Sequence, residues 1–277
     1  MADVFEGRRA VITGAGSGLG RAMALHFAHR GCHLALCDIR DEGLQDTALE
    51  AKALGVRVQT SVVDVADAQA MASFAEQTIA DGPVHILVNN AGVALGGRLV
   101  DTSPEDWRWL IDINVLGVVH GLHAFLPSML AHDGPAHVVN VSSAAGFTGM
   151  PGLAAYCASK AAVLSISEAL AAEHAHEGLH VHALCPGFVK TSIGESARIA
   201  SGDQNLDRDK INSMTSPPGR KVDDVAKAVV RAIDRRRFLV VLYPESHALR
   251  LLRSLPTPLA TRVRNRIAVR LFAKVKG

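Results

Sequence analysis

Short apolar runs alternate with helical segments along almost the whole chain. The apolar runs predict seven β-strands, at about residues 8–14, 32–38, 56–63, 84–89, 136–142, 179–185 and 238–243. Each run is apolar throughout rather than at every second position, which is typical of parallel strands covered by helices on both faces. The sequence therefore predicts an α/β fold, a single doubly wound domain in which helices flank a central parallel seven-stranded sheet.

Length and composition agree with one domain. The chain has 277 residues, of which 48% are hydrophobic, and this is enough to bury a full core. Residues 1–9 carry charges and lack the apolar run of a signal peptide. No uninterrupted apolar stretch approaches the length of about 20 residues that spans a bilayer. We therefore expect a cytoplasmic protein whose main domain covers residues 1–244.

Cysteine and histidine spacings indicate neither a metal site nor a disulfide framework. The four cysteines are interpreted as reduced thiols: Cys32, Cys37, Cys157 and Cys185. His120 and His123, like His174 and His176, are spaced as ligands can be, but no Cys or carboxylate completes either set. We expect no bound metal.

A glycine-rich turn joins the first predicted strand to the first predicted helix. Its spacing is Gly-x-x-x-Gly-x-Gly, and Leu19 stands where the familiar Gly-x-Gly-x-x-Gly pattern requires glycine. Glycine lets a backbone approach a pyrophosphate closely, and a helix N-terminus offers unpaired N–H groups to the anion. The turn predicts a Rossmann-type dinucleotide site at Gly14, Ser17, Gly18, Leu19 and Gly20.

Asp38 ends the second predicted strand, eighteen residues after Gly20. A carboxylate at this place binds the adenosine ribose hydroxyls and repels a 2′-phosphate, which favours NAD over NADP. The alternative is an Asp that caps the following helix. Arg40 lies two residues later and weakens the preference, so NAD is the expected cofactor and NADP stays open.

Further candidate cofactor contacts follow the other strands. The carboxyl ends of parallel strands meet at one edge of a sheet, where ligands bind near the switch in strand order. Asp64 and Val65 follow the third strand and are expected near the adenine. Small residues after the fourth strand let a cofactor lie against the backbone, and the turn after the sixth can hold a carboxamide. These residues are Asn90, Ala91, Gly92, Pro186, Gly187, Val189 and Thr191.

Tyr156 and Lys160 are four residues apart in a segment that is predicted to be helical. Residues i and i+4 share a helix face, so both side chains can point into one pocket. An ammonium near a phenol lowers a phenol pKa that is about 10 when unperturbed. The alternative is a Tyr at the core edge and a solvated Lys, which is the ordinary interpretation of an isolated pair. The other motifs favour the functional interpretation.

Polar residues near this pair are further candidates. Ser142 and Ser143 close the fifth predicted strand, and either hydroxyl can donate to a carbonyl oxygen as charge builds on it. Asn114 lies within a long predicted helix, where Asn is mildly unfavourable and therefore needs a partner or a task.

Together these residues resemble the short-chain dehydrogenase/reductase family over about residues 8–243. The resemblance rests on the glycine turn, on Asn-Asn-Ala-Gly at residues 89–92 and on Tyr-x-x-x-Lys at residues 156–160. The family's spacing selects Ser143 over Ser142 as the active-site serine, and Asn114 matches the family's fourth active-site residue.

The resemblance implies an oxidoreductase that acts on CH–OH groups with NAD or NADP as acceptor. Tyr156 would exchange the alcohol proton, and Lys160 would lower the Tyr156 pKa and bind the nicotinamide ribose. Ser143 would hold the substrate oxygen, and Asn114 would position a water that links Lys160 to solvent. The family also implies a homodimer or homotetramer. A non-catalytic NAD(H)-binding regulatory or membrane-surface scaffold protein is the main alternative, and a methyltransferase with a related glycine-rich turn is another.

The substrate region is less specific. Residues 193–221 are polar and correspond to the family's substrate lid. The expected pocket residues are apolar: Leu95, Met150, Leu153 and Phe188. They favour a hydrophobic secondary alcohol or ketone, such as a steroid, a lipid-derived compound or a terpenoid, although apolar pockets are common.

Residues 245–277 form a basic, helical C-terminal extension in this interpretation. From Arg235 to the end, the chain has 11 Lys and Arg residues and one acidic residue, Glu245. Apolar residues recur every fourth position beside a basic stripe: Leu259, Val263, Ile267, Leu271 and Val275. Such a helix can lie on an anionic membrane surface, or it can pack on the domain or on a partner subunit. Nucleic-acid binding is not expected, since aromatic platforms are absent.

Overall fold

The structure is a computed structural model, and it describes residues 3–132, 134–187, 189, 197–200, 221–254, 258, 261–263 and 266. The strands in this part of the chain are β1 (Arg9–Thr13), β2 (His33–Asp38), β3 (Val58–Val62), β4 (Ile86–Asn89), β5 (Leu95–Gly96), β6 (Ala136–Val141), β7 (Leu179–Cys185), β8 (Arg198–Ile199) and β9 (Leu239–Val241). The helices are α1 (Gly18–His29), α2 (Asp41–Ala53), α3 (Ala68–Ala80), α4 (Pro104–Ile111), α5 (Gly117–Ala131), α6 (Ala154–Glu173), α7 (Val222–Asp234) and α8 (Pro244–Ser254).

Seven strands form one parallel sheet in the order β3-β2-β1-β4-β6-β7-β9. The predicted seven-stranded α/β domain is therefore confirmed, with strand ends displaced by one or two residues. The direction of winding changes between β1 and β4. At such a switch the loops separate and leave a crevice beyond the carboxyl ends of the strands, where ligands bind.

The sheet is covered on both faces, which explains why its strands are apolar throughout. In β1, Ala10 and Ile12 pack with residues of α1 and α7 on one face, while Val11 packs on the other. That second face is covered by α3, α5 and α6, where Phe74 and Phe125 meet edge to face with 5.7 Å between ring centroids. Side chains alternate along a strand, so burial of both faces demands apolar residues at every position.

The long predicted helix after the fourth strand is continuous but contains a wider turn. Ser103 caps it through a capping box with Asp106, and Pro104 occupies its first turn. Residues Asp112–Leu116 adopt a π-helical turn between α4 and α5. The run Pro104–Ala131 is long and apolar enough to cross a bilayer by length and composition, although polar residues such as Asn114 and His120 interrupt it. A helix that packs in the core of a soluble domain passes the same test.

A second, small sheet was not predicted. Strands β5 and β8 pair in parallel, with Leu95 opposite Arg198 and Gly96 opposite Ile199. On the other side of β5, Gly97 forms a bridge with Leu153, just before α6. Strands of two residues leave no periodic signal in a sequence, which is why the pattern did not reveal them.

The C-terminal extension begins as a helix packed on the domain. In α8, Leu249 packs against Ala144 and Phe147, and Arg253 Nη1 donates to the Gly146 carbonyl oxygen at 3.4 Å. Most of the predicted amphipathic stripe, including Leu259, lies outside the described residues, as does most of the predicted lid.

Candidate active site

One cavity of about 550 Å³ lies beyond the carboxyl ends of the central strands. Most of the residues that the sequence suggested for cofactor, catalysis or substrate line it. They are Gly14, Ser17, Gly18, Leu19, Asp38, Arg40, Asp64, Val65, Asn90, Ala91, Gly92, Ser143, Met150, Leu153, Tyr156, Lys160, Pro186, Gly187 and Val189. The predicted convergence of strand ends thus brings motifs from six parts of the chain to one place.

Three suggested residues take other positions. Gly20 supports the turn from behind, because a Cβ there would lie 2.1 Å from the Gly14 carbonyl oxygen. Leu95, expected in the substrate pocket, is 2% exposed and packs against Leu110 and Ala155, so that expectation was wrong. Its neighbour Gly96 lines the cavity instead, as the alternation of side chains along a strand requires.

Asn114 is fully buried behind the cavity wall. Two further suggested residues, Phe188 and Thr191, lie outside the described part of the chain.

The glycine turn and the Asn-Asn-Ala-Gly segment are bonded to each other. Thr13 Oγ1 accepts the backbone N–H groups of Asn90 and Ala91, both at 3.0 Å. In return, Asn90 Nδ2 donates to the carbonyl oxygens of Thr13 and Gly14 at 2.8 and 3.0 Å. These four bonds hold the two loops together across the switch point. The floor of the cavity is therefore already fixed by hydrogen bonds within the protein.

Asp38 presents its carboxylate at the expected end of the cavity. Its Oδ2 accepts the Gly16 N–H at 2.9 Å, and its Oδ1 accepts the Arg40 N–H at 3.0 Å. The N-cap of α2 is Arg40, so the alternative of Asp38 as a helix cap is wrong. Each carboxylate oxygen keeps a second acceptor position, which suits the two vicinal hydroxyls of a ribose.

Asn114 joins three elements at the π-helical turn. Its Oδ1 accepts the Val93 N–H at 2.8 Å, and its Nδ2 donates to the Val93 carbonyl oxygen at 2.9 Å and to Ser159 Oγ at 3.1 Å. The mid-helix Asn therefore has the partners that the sequence required. It connects the loop after β4 with α6, the helix that carries Tyr156 and Lys160. π-helical turns often occur at functional sites.

Tyr156 and Lys160 share one face of α6 and both reach the cavity. Lys160 Nζ lies 5.8 Å from the Tyr156 ring centroid and donates to the Val141 carbonyl oxygen at 3.0 Å. The adjacent Ser142 donates its hydroxyl to the Lys160 carbonyl oxygen at 2.6 Å and is 2% exposed. Its hydroxyl is thus used within the protein, whereas Ser143 lines the cavity with Tyr156 and its Oγ accepts the Ala145 N–H at 3.1 Å.

The pKa values differ from the expectation drawn from the sequence. Burial raises the pKa of Tyr156 to about 12, and the hydrogen bond with Ser143 offsets only part of this effect. Burial also lowers the pKa of Lys160 to about 8, because the low-dielectric surroundings disfavour the ammonium. In the protein alone, desolvation is the largest cause of both shifts, and the predicted lowering of the Tyr156 pKa by Lys160 is not found.

Several cavity residues were missed by the sequence analysis. Trp109 and Ile113 come from the α4 region, Arg198 and Ile199 from β8, and Leu249 from α8. Trp109 precedes Asn114 by five residues, a spacing that places two side chains on different sides of a regular α-helix, so helical spacing gave no signal for it. Arg198 and Leu249 belong to segments whose place over the cavity depends on long-range packing. Within the described residues, no group of three or more His, Cys, Asp or Glu side chains could hold a metal ion.

Comparison with known proteins agrees with this architecture. The family model described as short chain dehydrogenase matches residues 8–201. Putative oxidoreductase SadH of Mycobacterium tuberculosis is 38% identical over 251 residues, covering 88% of this chain and 89% of that protein. Probable oxidoreductase EphD of Mycobacterium bovis is 36% identical over 263 residues, which cover 92% of this chain but only 44% of EphD. The chain thus spans less than half the length of that relative.

A solved structure shows the same fold. The short chain dehydrogenase/reductase from Burkholderia phymatum in complex with NAD superposes with a TM-score of 0.84 and 35% identity, covering 91% of this chain and 94% of that one. The protein is therefore a member of the short-chain dehydrogenase/reductase family of oxidoreductases.

Proposed function

We propose that the protein transfers a hydride between a nicotinamide cofactor and a hydrophobic secondary alcohol or ketone. The observation that carries the proposal is one continuous cavity. The glycine turn and Asp38 lie at one end of it, and its wall contains Ser143, Tyr156 and Lys160. Gly14 and Asp38 would hold a dinucleotide at the first end, and Ser143, Tyr156 and Lys160 would act beside its nicotinamide.

We propose NAD as the preferred cofactor. The bonded loops and the close approach at Gly14 form a cradle for a pyrophosphate, and the Asp38 carboxylate fits ribose hydroxyls but repels a 2′-phosphate. The Burkholderia phymatum relative contains NAD. Arg40 also lines the cavity, and an arginine there could accommodate the 2′-phosphate of NADP. The test below therefore compares NAD with NADP.

The chain's own residues would handle the proton and the substrate oxygen. When bound, the nicotinamide supplies the hydride chemistry. The Tyr156 hydroxyl would give its proton to the carbonyl oxygen in reduction and take it back in oxidation. Ser143 would hold the same oxygen by a hydrogen bond. With a pKa of about 12, Tyr156 is protonated near neutral pH and therefore ready to donate.

Lys160 would act through charge and position. Its ammonium favours the phenolate that forms when Tyr156 loses its proton, and its bond to the Val141 carbonyl oxygen holds it at the base of the cavity. Asn114 would position Val93 and Ser159 around this group, since those are the partners of its side chain.

The substrate end is apolar, which supports a hydrophobic substrate. Residues with large apolar side chains line it from five parts of the chain: Trp109, Ile113, Met150, Leu153, Ile199 and Leu249. Removal of apolar substrate surface from water on binding would favour association with these side chains, and the proposal covers hydrophobic secondary alcohols and ketones as a class.

The proposal is tested by following the absorbance of reduced nicotinamide. A panel of hydroxysteroids, aliphatic and aromatic secondary alcohols and the matching ketones is assayed with both cofactors, for the wild type and for Tyr156→Phe. We expect turnover with NAD(H) that Tyr156→Phe abolishes while NADH binding is retained. Turnover that persists in Tyr156→Phe contradicts the assigned proton donor, and a preference for NADPH contradicts the role of Asp38.

We also propose that the protein forms a homodimer or homotetramer. Leu116, which ends the π-helical turn, is 40% exposed, and Val119 in the first turn of α5 is 39% exposed. Apolar side chains on a helix face support burial by another subunit. Size-exclusion chromatography with light scattering tests this point, and a monomer at micromolar concentration contradicts it.

The non-catalytic alternative is not favoured, because a scaffold has no use for the Ser143, Tyr156 and Lys160 arrangement.

A further inference from the structure

We propose that the substrate carries a carboxylate or a similar planar anion, which Arg198 binds at the rim of the cavity. The inference rests on the proposed function and deepens it. It names an amphipathic substrate class, a keto acid or hydroxy acid with an apolar chain between the two functional groups.

The first observation is a stacked arginine in the cavity wall. The Arg198 guanidinium carbon lies 3.8 Å from the centroid of the Trp109 ring, and both residues line the cavity. Stacking uses the face of the guanidinium and leaves the N–H groups in its plane directed away from the ring. A planar fork of this kind matches the two oxygens of a carboxylate.

The second observation is that the backbone at Arg198 is fixed relative to the catalytic helix. The Arg198 N–H donates to the Ala94 carbonyl oxygen at 3.0 Å, which holds β8 against β5. On the opposite side of β5, the Gly97 N–H donates to the Gly152 carbonyl oxygen at 2.8 Å. Two strand spacings therefore separate Arg198 from the segment that leads into Tyr156, roughly 10 Å in total.

The third observation is the charge around this arginine. Among the described residues, no carboxylate lies within ion-pair distance of the Arg198 guanidinium. Glu245 lines the cavity at the Gly187 end, since a Cβ on Gly187 would lie 2.6 Å from Glu245 Oε1. The cavity thus has an acidic group on the Gly187 side and a cation beside Trp109.

A purely solvated arginine is the simple alternative. Stacking on an exposed ring is worth only about 0.5–1 kcal/mol, so it does not by itself require a ligand. The distinction lies in the shape of the site: the guanidinium lies over an aromatic ring and lines an apolar cavity, and the Arg198 backbone is hydrogen-bonded to Ala94. An anionic group at this place lets the chain of the substrate lie along the chamber, with its carbonyl near Tyr156.

The experiment compares an acid with its neutral ester. In the Tyr156→Phe background, where turnover does not interfere, binding of 9-oxodecanoate and of its methyl ester to the NADH complex is measured by calorimetry. Arg198→Leu is the test variant and Arg198→Lys the conservative one. Arg108→Leu is the matched control, because Arg108 is exposed on the same helix as Trp109 and pairs with Glu105.

We expect the acid to bind about tenfold or more tightly than the ester, as charge-assisted hydrogen bonds generally allow. Arg198→Leu should remove this difference and leave ester binding unchanged, Arg198→Lys should restore part of it, and Arg108→Leu should have no effect. Equal binding of acid and ester, an equal loss of both in Arg198→Leu, or no binding of the acid overturns the inference. The same variants with Tyr156 restored give the acid-to-ester ratio of kcat/KM. Acid-selective binding without any turnover contradicts the proposed function and leaves the anion site standing.

Discussion

Gly14 and Ala91 lie so close together that there is no room for a side chain at position 14 of the glycine turn. A Cβ on Gly14 would be 2.9 Å from the Ala91 Cα, and Gly14 has a φ of +65°. The contact joins the two loops that form the cavity floor, and it explains in physical terms why a glycine is needed at the head of the turn.

Gly14→Ala is expected to reduce affinity for NADH by at least about tenfold, because a loop displaced by a few tenths of an ångström no longer fits the pyrophosphate. Isothermal titration measures this loss. Gly7→Ala is the matched control, since Gly7 has a φ of +67° and a Cβ added there would meet nothing within 4 Å. The control shares the backbone strain and should retain affinity, whereas equal losses in both variants would contradict the close-contact argument.

Asp38→Ser is expected to shift cofactor preference towards NADP. Removal of the carboxylate eliminates its repulsion of a 2′-phosphate and its bonds to ribose hydroxyls, while Arg40 stays beside the same space. The ratio of kcat/KM for NAD to that for NADP should fall by about tenfold or more. Asp41→Ser, which changes an exposed carboxylate in the first turn of α2, serves as control. An unchanged ratio in Asp38→Ser speaks against its role in cofactor selection.

Asn114→Leu should lower both stability and turnover. The substitution leaves the Val93 backbone groups without their side-chain partners in a fully buried position, and each lost partner costs on the order of 1–3 kcal/mol. Urea unfolding measures stability, and the nicotinamide assay measures kcat. Ser159→Ala removes only one of the three bonds, so its effect on both quantities should be smaller. A kcat unchanged in Asn114→Leu contradicts the proposed positioning role.

Acid sensitivity is expected from a pair of buried histidines at the sheet's amino-terminal edge. His137 Nδ1 and His182 Nε2 are 3.1 Å apart, and burial lowers the pKa of His137 to about 3 and that of His182 to about 4. His180, Arg8 and Arg236 disfavour the charged form of His137 further.

Because the folded pKa values lie below the unfolded value near 6.5, neutral histidine stabilises the fold above that pH. This stability is lost as the pH falls from 6.5 towards the folded pKa values. For His137 the loss is on the order of 2 kcal/mol at pH 5. We expect the Tm to fall between pH 7.5 and pH 5, and His137→Leu to reduce that fall whatever its Tm at pH 7.5. An identical pH dependence in the variant would argue against this pair as the cause.

The sheet and the cofactor end of the cavity could be predicted because local rules govern them. Continuous apolar strands reveal burial on both faces. Asp38 ends β2 and Asn90 follows β4 directly, so parallel pairing brings both to the same edge of the sheet. Leu95 was misplaced for the opposite reason. Its strand has two residues, and only the pairing with β8 determines that its side chain faces the core while Gly96 faces the cavity.

The pKa values of the site show a second limit of prediction from the sequence. Spacing places Tyr156 and Lys160 on one helix face, and the structure agrees. The sign of the Tyr156 pKa shift depends on how much protein surrounds the hydroxyl, and that quantity arises from Ser143, the loop after β4 and the helix together. Trp109 and Arg198 meet for a similar reason, since their contact crosses elements far apart in the sequence.

The packing of α8 on the turn after β6 has a practical consequence for work with this enzyme. Arg253 is bonded to Gly146, three residues after Ser143, and Leu249 faces the cavity. A substitution in α8 therefore alters a segment that borders the reaction site, and kinetic constants measured on such a variant carry its influence.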